Sequence, residues 1–268
     1  MQSNPGLQKH LFDYLCDFSQ KILGEFTDGA DRLFKLEYAQ YEWVRVTLER
    51  MRREKWFCSG ILYWMLNDCW AASAGWSLID YYVLPKSAYY SFKRAAKPLI
   101  VSVDREDGCC RFCVCNDSLN SRRVTLRCLR ITIPDGSVTE VFTEHALDIP
   151  ANTSVFVAQD RKVSSSVSAV ILAELSDQAG VIDYAFYKEG ALRLVPCRAG
   201  DYTVETLSES ELRITANSYI HVLHLTSDAV FSDNDFLLPP GVTRTVTMRQ
   251  HGAAPLQAPE ISAYTLKA

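Results

Sequence analysis

Between Gly60 and Tyr82 the chain gathers three Trp, three Tyr, one Asn and two Asp. The run reads Gly60-Ile61-Leu62-Tyr63-Trp64-Met65-Leu66-Asn67-Asp68-Cys69-Trp70, then resumes as Trp76-Ser77-Leu78-Ile79-Asp80-Tyr81-Tyr82. Indole faces stack on the C–H faces of a pyranose, and a few fixed polar groups meet its hydroxyls, so these residue types suit a sugar. Order adds to composition. The apolar run Ile61 to Leu66 leads into a polar, aromatic loop, which predicts a buried strand near Cys58 to Leu66 delivering side chains to a pocket. Each residue also has a plainer reading. Trp64 is a pocket wall or a core residue, and Trp70 and Trp76 line an outer subsite or pack the loop. Asn67 donates to a hydroxyl or makes an ordinary Asx-turn, and Asp68 touches substrate or orients the loop through backbone N–H groups. A catalytic pair of Asp68 and Asp80 fits the spacing, but nothing local would raise the pKa of one of them.

The Gly60–Tyr82 segment resembles the last barrel strand and adjoining loop of β-mannosidases of glycoside hydrolase family 2. That family has Gly-x-Leu-Tyr-Trp-x-Leu-Asn-Asp-x-Trp and then Ser-Trp-Ser-x-Ile-Asp-Tyr-Tyr. Ala74-Gly75-Trp76-Ser77 departs slightly from the second motif. Near the C-terminus, Phe231-Ser232-Asp233-Asn234-Asp235-Phe236-Leu237-Leu238-Pro239-Pro240-Gly241 resembles a further family segment. The resemblance implies a retaining hydrolase of terminal β-D-mannosides, with a β-mannoside oligosaccharide as partner and Trp64, Asn67, Asp68, Trp70 and Trp76 around the sugar. Such an enzyme needs two carboxyl groups about 5–5.5 Å apart. The family supplies them as Glu in an Asn-Glu pair and in a Ser-Glu-(aromatic)-Gly motif, and neither occurs before Gly60. The opening Met1-Gln2-Ser3-Asn4-Pro5 resembles the residues just after the family's nucleophile, so both catalytic Glu are expected upstream of Met1 and no catalytic residue within the chain. The missing N-terminal part of the enzyme then becomes a partner.

The 268 residues leave room for about two domains. A hydrophobic content of 48% against 22% charged residues argues for a globular chain rather than a disordered one. The net charge of −4 and the lack of a basic stripe give no reason to expect nucleic acid. Arg50-Met51-Arg52-Arg53-Glu54-Lys55 reads as a solvated helix end whose cations complement the dipole. No apolar run predicts a membrane span, and the opening is not a signal peptide, so the compartment stays open. Of nine Cys, Cys109, Cys110, Cys113 and Cys115 crowd one segment. Cys113 and Cys115 alternate with Phe112 and Val114, which places both on one strand face as small buried residues. His221 and His224 point to opposite faces of a strand. Neither set predicts a metal, and no cofactor is implied. Two sequons, at Asn116 and Asn152, hint at a secretory parent.

All five Trp lie at or before Trp76, and beyond about Pro98 the chain turns to Val, Thr and alternation. Before that point helices are predicted over Leu7 to Leu23 and Asp31 to Glu54, the second with Leu33, Leu36, Tyr41, Val44, Leu48 and Met51 on one stripe. A third runs from about Pro85 to Ala96. From Leu99 the predicted strands are 99–104, 111–116, 124–132, 138–143, 153–158, 169–175 and 181–186, with turns at Asp107-Gly108, Pro134-Asp135-Gly136 and Pro150-Ala151-Asn152. A second set is predicted at 202–207, 211–216, 220–227, 231–237 and 242–248. The expected fold is therefore multi-domain α/β plus all-β: a C-terminal fragment of a TIM (β/α)8 barrel over 1–97, then immunoglobulin-like β-sandwiches over 98–195 and 196–268. A barrel takes about 250 residues, so 1–97 should expose unpartnered apolar faces at Leu33, Val44, Leu48 and Ile61 and be the unstable part of the chain.

Three functions remain from the sequence. The chain is the C-terminal part of a β-mannosidase, inactive alone; or a non-catalytic carbohydrate-binding or adhesion module, against which stands the lack of Trp beyond Leu99; or a partner completing a separately encoded N-terminal half.

Overall fold

The computed structural model describes residues 5–71, 75–133, 135–253 and 255–267. The Met1–Asn4 opening, loop position Ala74 and turn residue Pro134 lie outside the described residues, as do the side chains of Leu7 and Leu11. The chain forms two compact units. One joins the residues up to Val44 with Tyr63–Ser91 and Ala191–Lys267; the other joins Arg45–Leu62 with Phe92–Gly190. Among the described residues no helix is long and apolar enough to cross a membrane.

Three helices open the chain: α1 (Pro5–Leu23), α2 (Gly29–Arg53) and α3 (Ser87–Ala95). Gly24 ends α1 in the left-handed region at φ 93°, with its N–H bonded to Gln20 O at 3.0 Å. Asp28 then caps α2. Its Oδ1 accepts from Asp31 N at 2.9 Å while Asp31 Oδ2 accepts from Thr27 N at 2.9 Å, a reciprocal pair close to a capping box. The Asp31 N–H holds the Asp28 carboxyl below its ordinary pKa.

The buried face of α2 carries Phe34, Tyr38, Tyr41, Val44 and Leu48, whereas Leu33 and Met51 of the expected stripe are exposed. Ion pairs one turn apart join that face, Asp31–Lys35 at 3.0 Å and Arg45–Glu49 at 3.2 Å. A buried charge tolerates its position only with such a partner, so an apolar periodicity count misses half of this helix. Val44 and Leu48 are packed, contrary to the expectation that they lack partners. The basic end of α2 is not simply solvated either. Arg52 and Lys55 pair with Asp117 at 3.0 and 2.5 Å, Arg53 with Asp104 at 3.4 Å, and Arg52 also donates to Lys97 O at 2.7 Å.

The expected strand over Cys58 to Leu66 does not form. Leu62 is 100% exposed, and single bridges at Lys55–Cys58 and Asn67–Ile79 replace a ladder. A strand needs a continuous hydrogen-bonded ladder, and along Ile61–Leu66 only Met65 O and Leu66 O meet a neighbour among the described residues, the N–H groups of Leu78 and Ile79.

The next strands are β1 (Leu99–Glu106), β2 (Cys109–Asn116), β3 (Arg122–Thr132), β4 (Val138–Ile149), β5 (Thr153–Val157), β6 (Val163–Ser164), β7 (Ala169–Asp177) and β8 (Gly180–Lys188). They make two antiparallel sheets, ordered β1-β2-β5 with β6 on β2, and β4-β3-β7-β8. Alternate residues of both, among them Val101, Phe112, Val114, Leu126, Ile171 and Leu175, form one core between the sheets. The outer face of β2 carries Cys113 and Cys115, buried with Ile100 and against Phe156, as the alternation predicted.

Strands β9 (Leu194–Pro196), β10 (Tyr202–Ser208), β11 (Glu211–Ala216), β12 (Ile220–Thr226), β13 (Ala229–Phe231), β14 (Phe236–Leu238), β15 (Thr243–Gln250) and β16 (Glu260–Leu266) complete the chain. Their sheets run β10-β11-β15-β13 and β14-β12-β16-β9, again around a shared core. Tyr90 of α3 is part of that core and donates its hydroxyl to Phe231 O at 3.4 Å. The single strand expected at 231–237 is two, β13 and β14, in different sheets. Asn234 turns the chain between them: its amide bonds both Leu225 N and Leu225 O, at 2.7 and 2.8 Å, as a neighbouring strand would.

Candidate functional site

The aromatic loop is closed at its base by backbone bonds. Leu78 N reaches Leu66 O at 3.1 Å, Ile79 N reaches Leu66 O at 2.9 Å, and Asp68 N reaches Ile79 O at 3.0 Å. Within this frame Trp64 is 86% exposed, and its peptide bond to Met65 is cis. Asn67, Trp70 and Trp76 are also exposed, and Asn67 Nδ2 donates to Asp68 O at 3.1 Å. These four side chains are placed where a ligand could meet them, so Trp64 is not a core residue of the chain.

Asp68 differs. It is buried, 6% exposed, with Oδ1 accepting from Ser77 Oγ at 2.6 Å and Oδ2 from Lys86 Nζ at 2.6 Å. Lys86 Nζ also reaches Ser77 Oγ at 2.8 Å, closing a three-membered network. Gly75 is required beside it, because a Cβ there would lie 2.6 Å from Asp68 Oδ1. Asp80 serves a turn of its own, accepting from Leu84 N at 2.8 Å. Each carboxylate is thus engaged in local structure.

Three residues that the sequence reading passed over help to build the site. Gln40 of α2 donates to Trp76 O at 2.8 Å and to Tyr63 Oη at 3.1 Å. Trp43, one turn on, meets the Trp76 ring at 6.2 Å between centroids. Lys86 is the third. Gln40 and Trp43 are separated from their partners by more than twenty residues of chain, and no local pattern announces them. Lys86 carries a fainter signal, a lone cation between Pro85 and the start of α3.

A cleft lined by Pro196, Cys197, Arg198, Tyr202, Ile261 and Tyr264 shares no residue with the aromatic loop, and burial pushes the Cys197 thiol up to about 12, away from nucleophilic character. Among the described residues no three His, Cys, Asp or Glu side chains gather as a metal site. Asn116 of the first sequon is fully buried, its amide donating to Asn120 O at 2.9 Å and Pro150 O at 3.0 Å, while Asn152 stands exposed in a turn.

Two pairs of antiparallel sheets and an exposed aromatic loop describe a fold, and a fold alone assigns no activity. Likeness to known proteins narrows this. Over 49 residues the chain is 47% identical to β-mannosidase B of Emericella nidulans, a stretch that is 18% of this chain and 6% of that protein. Over 87 residues it is 37% identical to β-mannosidase B of Thermothelomyces thermophilus, 32% of this chain and 9% of that one. The fold is shared with β-D-mannosidase from Dictyoglomus thermophilum, with a TM-score of 0.76 at 21% identity over 95% of this chain. It is shared too with the exo-chitosanase of Amycolatopsis orientalis, with a TM-score of 0.69 at 20% identity over 92% of this chain. The chain spans about a third of each of those structures, 32% and 35%. No family model matches the chain. Sequence over part of its length, and fold over nearly all of it, relate this chain to β-glycosidases of the β-mannosidase kind.

Proposed function

We propose that this chain is the C-terminal portion of a family 2 β-mannosidase, a retaining hydrolase that releases terminal non-reducing β-D-mannose from oligosaccharides or glycoproteins. The 47% identity to β-mannosidase B carries this reading. In it, residues 1–97 end the catalytic barrel, and 98–195 and 196–268 are immunoglobulin-like sandwiches. The strand orders β1-β2-β5 and β4-β3-β7-β8 support the sandwich assignment. The nucleophile and acid/base Glu come from the part of the enzyme that precedes this stretch, since a pair of carboxyl groups about 5–5.5 Å apart is needed.

The division of labour within the loop rests on exposure. Trp64, Trp70 and Trp76 offer indole faces to the sugar ring, and Asn67 offers an amide to its hydroxyls. Asp68, placed with them by the sequence, belongs to the same site as the anchor that holds the loop in shape, because Ser77 and Lys86 take both of its oxygens.

The test is hydrolysis of an aryl β-D-mannoside by the chain alone and by the chain joined to the preceding portion of a β-mannosidase B. No turnover alone and turnover when joined is the expected result. A joined enzyme that is inert on the mannoside but cleaves an aryl β-D-glucosaminide would move the substrate to the chitosanase side, and a chain active by itself would overturn the reading.

A further inference from the structure

The aromatic loop is held by α2 as well as by its own bonds. Tyr63 and Trp76 stand thirteen residues apart in it, and a closed triangle of hydrogen bonds joins them to α2. Tyr63 Oη donates to Trp76 O at 2.7 Å. Gln40 Nε2 donates to the same carbonyl at 2.8 Å and to Tyr63 Oη at 3.1 Å, with Ser77 O a longer third acceptor at 3.4 Å. An amide has two protons, and here both point at oxygens that can only accept or are already donating elsewhere. The reversed amide would set Oε1 against a carbonyl oxygen, so one orientation alone fits. Trp43, on the same helix, meets the Trp76 ring at 6.2 Å between centroids and 54° between planes.

We infer that Gln40 is the positioning residue of the aromatic loop, setting where Trp64 and Trp76 stand through the Tyr63 hydroxyl and the Trp76 and Ser77 carbonyls. The inference rests on the reading of this loop as the sugar-facing element. Gln40 touches no sugar in this scheme. It decides whether the two indoles, reached from opposite ends of the loop, are held in fixed relation, and rigid placement is what makes a stacking platform selective. Glutamate has the same shape but no proton to give. Its carboxylate would face the Trp76 carbonyl with like partial charge, so the triangle would open while the side-chain volume stays the same.

The full chain labelled with 5-fluorotryptophan tests this, since its five Trp give five fluorine signals assignable by single Trp→Phe changes. Gln40→Glu is expected to shift and broaden the Trp64 and Trp76 signals, carry Trp43 with them, and leave Trp56 where it was. Tyr63→Phe, a milder change that keeps the ring, is expected to move the same signals less, and the double variant to move them no further than Gln40→Glu alone. Unmoved Trp64 and Trp76 signals in Gln40→Glu would overturn the inference. So would a displacement of all five signals with loss of the cooperative melt, which would make Gln40 a support of the whole fold. Should Gln40→Glu not fold, Tyr63→Phe decides by the same two signals. Adding an aryl β-mannoside to the enzyme joined to its catalytic portion tests the sugar reading separately. Trp64 and Trp76 signals that respond to Gln40→Glu but not to the glycoside would keep Gln40's role and remove the sugar.

Discussion

Asp68 and Trp64 sit four positions apart and do opposite work. Trp64 is exposed, so Trp64→Ala should leave stability within about 0.5 kcal/mol of the parent. In an enzyme joined to its catalytic portion the same change should lower kcat/KM about tenfold or more, because a stacking wall acts on the distorted sugar of the transition state. Near-parental kcat/KM would show that the indole faces something other than the substrate. Lys86→Met should instead destabilise the chain, by on the order of 3 kcal/mol, because it strands the buried Asp68 carboxylate. Denaturant unfolding monitored by Trp fluorescence reads this. Adding Asp68→Asn to Lys86→Met should recover part of the loss, since the two groups act as a pair; a purely additive result would show them to be independent. The cluster of aromatic and polar residue types between Gly60 and Tyr82 is legible in the sequence, and its reading as a sugar-facing set is the proposal made above. The division into exposed faces and a buried anchor is not legible there, because it depends on Ser77, Lys86 and the space left by Gly75.

At the scale of elements, the helices and most strands emerge from period alone, and the misses share one cause. Cys58–Leu66 has strand composition but no ladder, only isolated contacts at its two ends, and β16 pairs well although Glu260–Leu266 alternates poorly. Composition reports what a segment tolerates, whereas a ladder needs a neighbour. The Ser232–Asp235 turn shows the same limit, since Asn234 ends one strand by bonding the backbone of another. Beside it, Asp235 Oδ1 meets His224 Nδ1 at 2.7 Å, with the Phe34 ring 5.2 Å from the imidazole and the charges of Glu37 and Glu260 also facing it. Burial alone would lower the His224 pKa, but Asp235 reverses that and holds it above the ordinary value. Burial raises Glu37 likewise, against the pull of His224, Lys86 and the Ser87 hydroxyl at 3.3 Å. A folded pKa above the unfolded one gives stability that is complete at acid pH and is lost as pH rises through the raised value. Both groups therefore act in one direction, and the melting temperature is expected to fall between about pH 5 and pH 8. His224→Gln should make that slope shallower. A slope unchanged by the substitution would place the pH dependence elsewhere, for example on Asp183 or Glu49, whose carboxyls are raised by burial in the other unit.

Over the whole chain, the segment before Pro98 is not a loose appendage. Its residues up to Val44 and Tyr63–Ser91 fold into the unit of the last sandwich, and Arg45–Leu62 into the unit of the first. Leu23, Tyr38, Val44, Leu48 and Tyr90 are buried, so the expected unpartnered apolar faces are absent at Val44 and Leu48, while Leu33 is exposed. Protease access depends on local opening and exposure, not position along the sequence. Exposure between α2 and α3 is concentrated at Trp56, Phe57, Leu62, Trp64, Leu66 and Tyr81 to Val83, where bridges and turns replace ladders. Limited proteolysis with chymotrypsin should therefore cut first within 56–83, and α1 and α2 should stay with the core through their packed side chains. Tyr81 and Tyr82 lie inside that window, and the Tyr82 carbonyl is held by His251 Nε2 at 2.7 Å, so cleavage near Trp56 to Trp64 should precede cleavage near Tyr82. A resistant fragment that begins near Pro98 and lacks α1 and α2 would show that the helices add little to either unit. Joining the chain to the catalytic portion of a β-mannosidase should slow the first cut, because apolar faces this exposed are what a neighbouring barrel wall would cover.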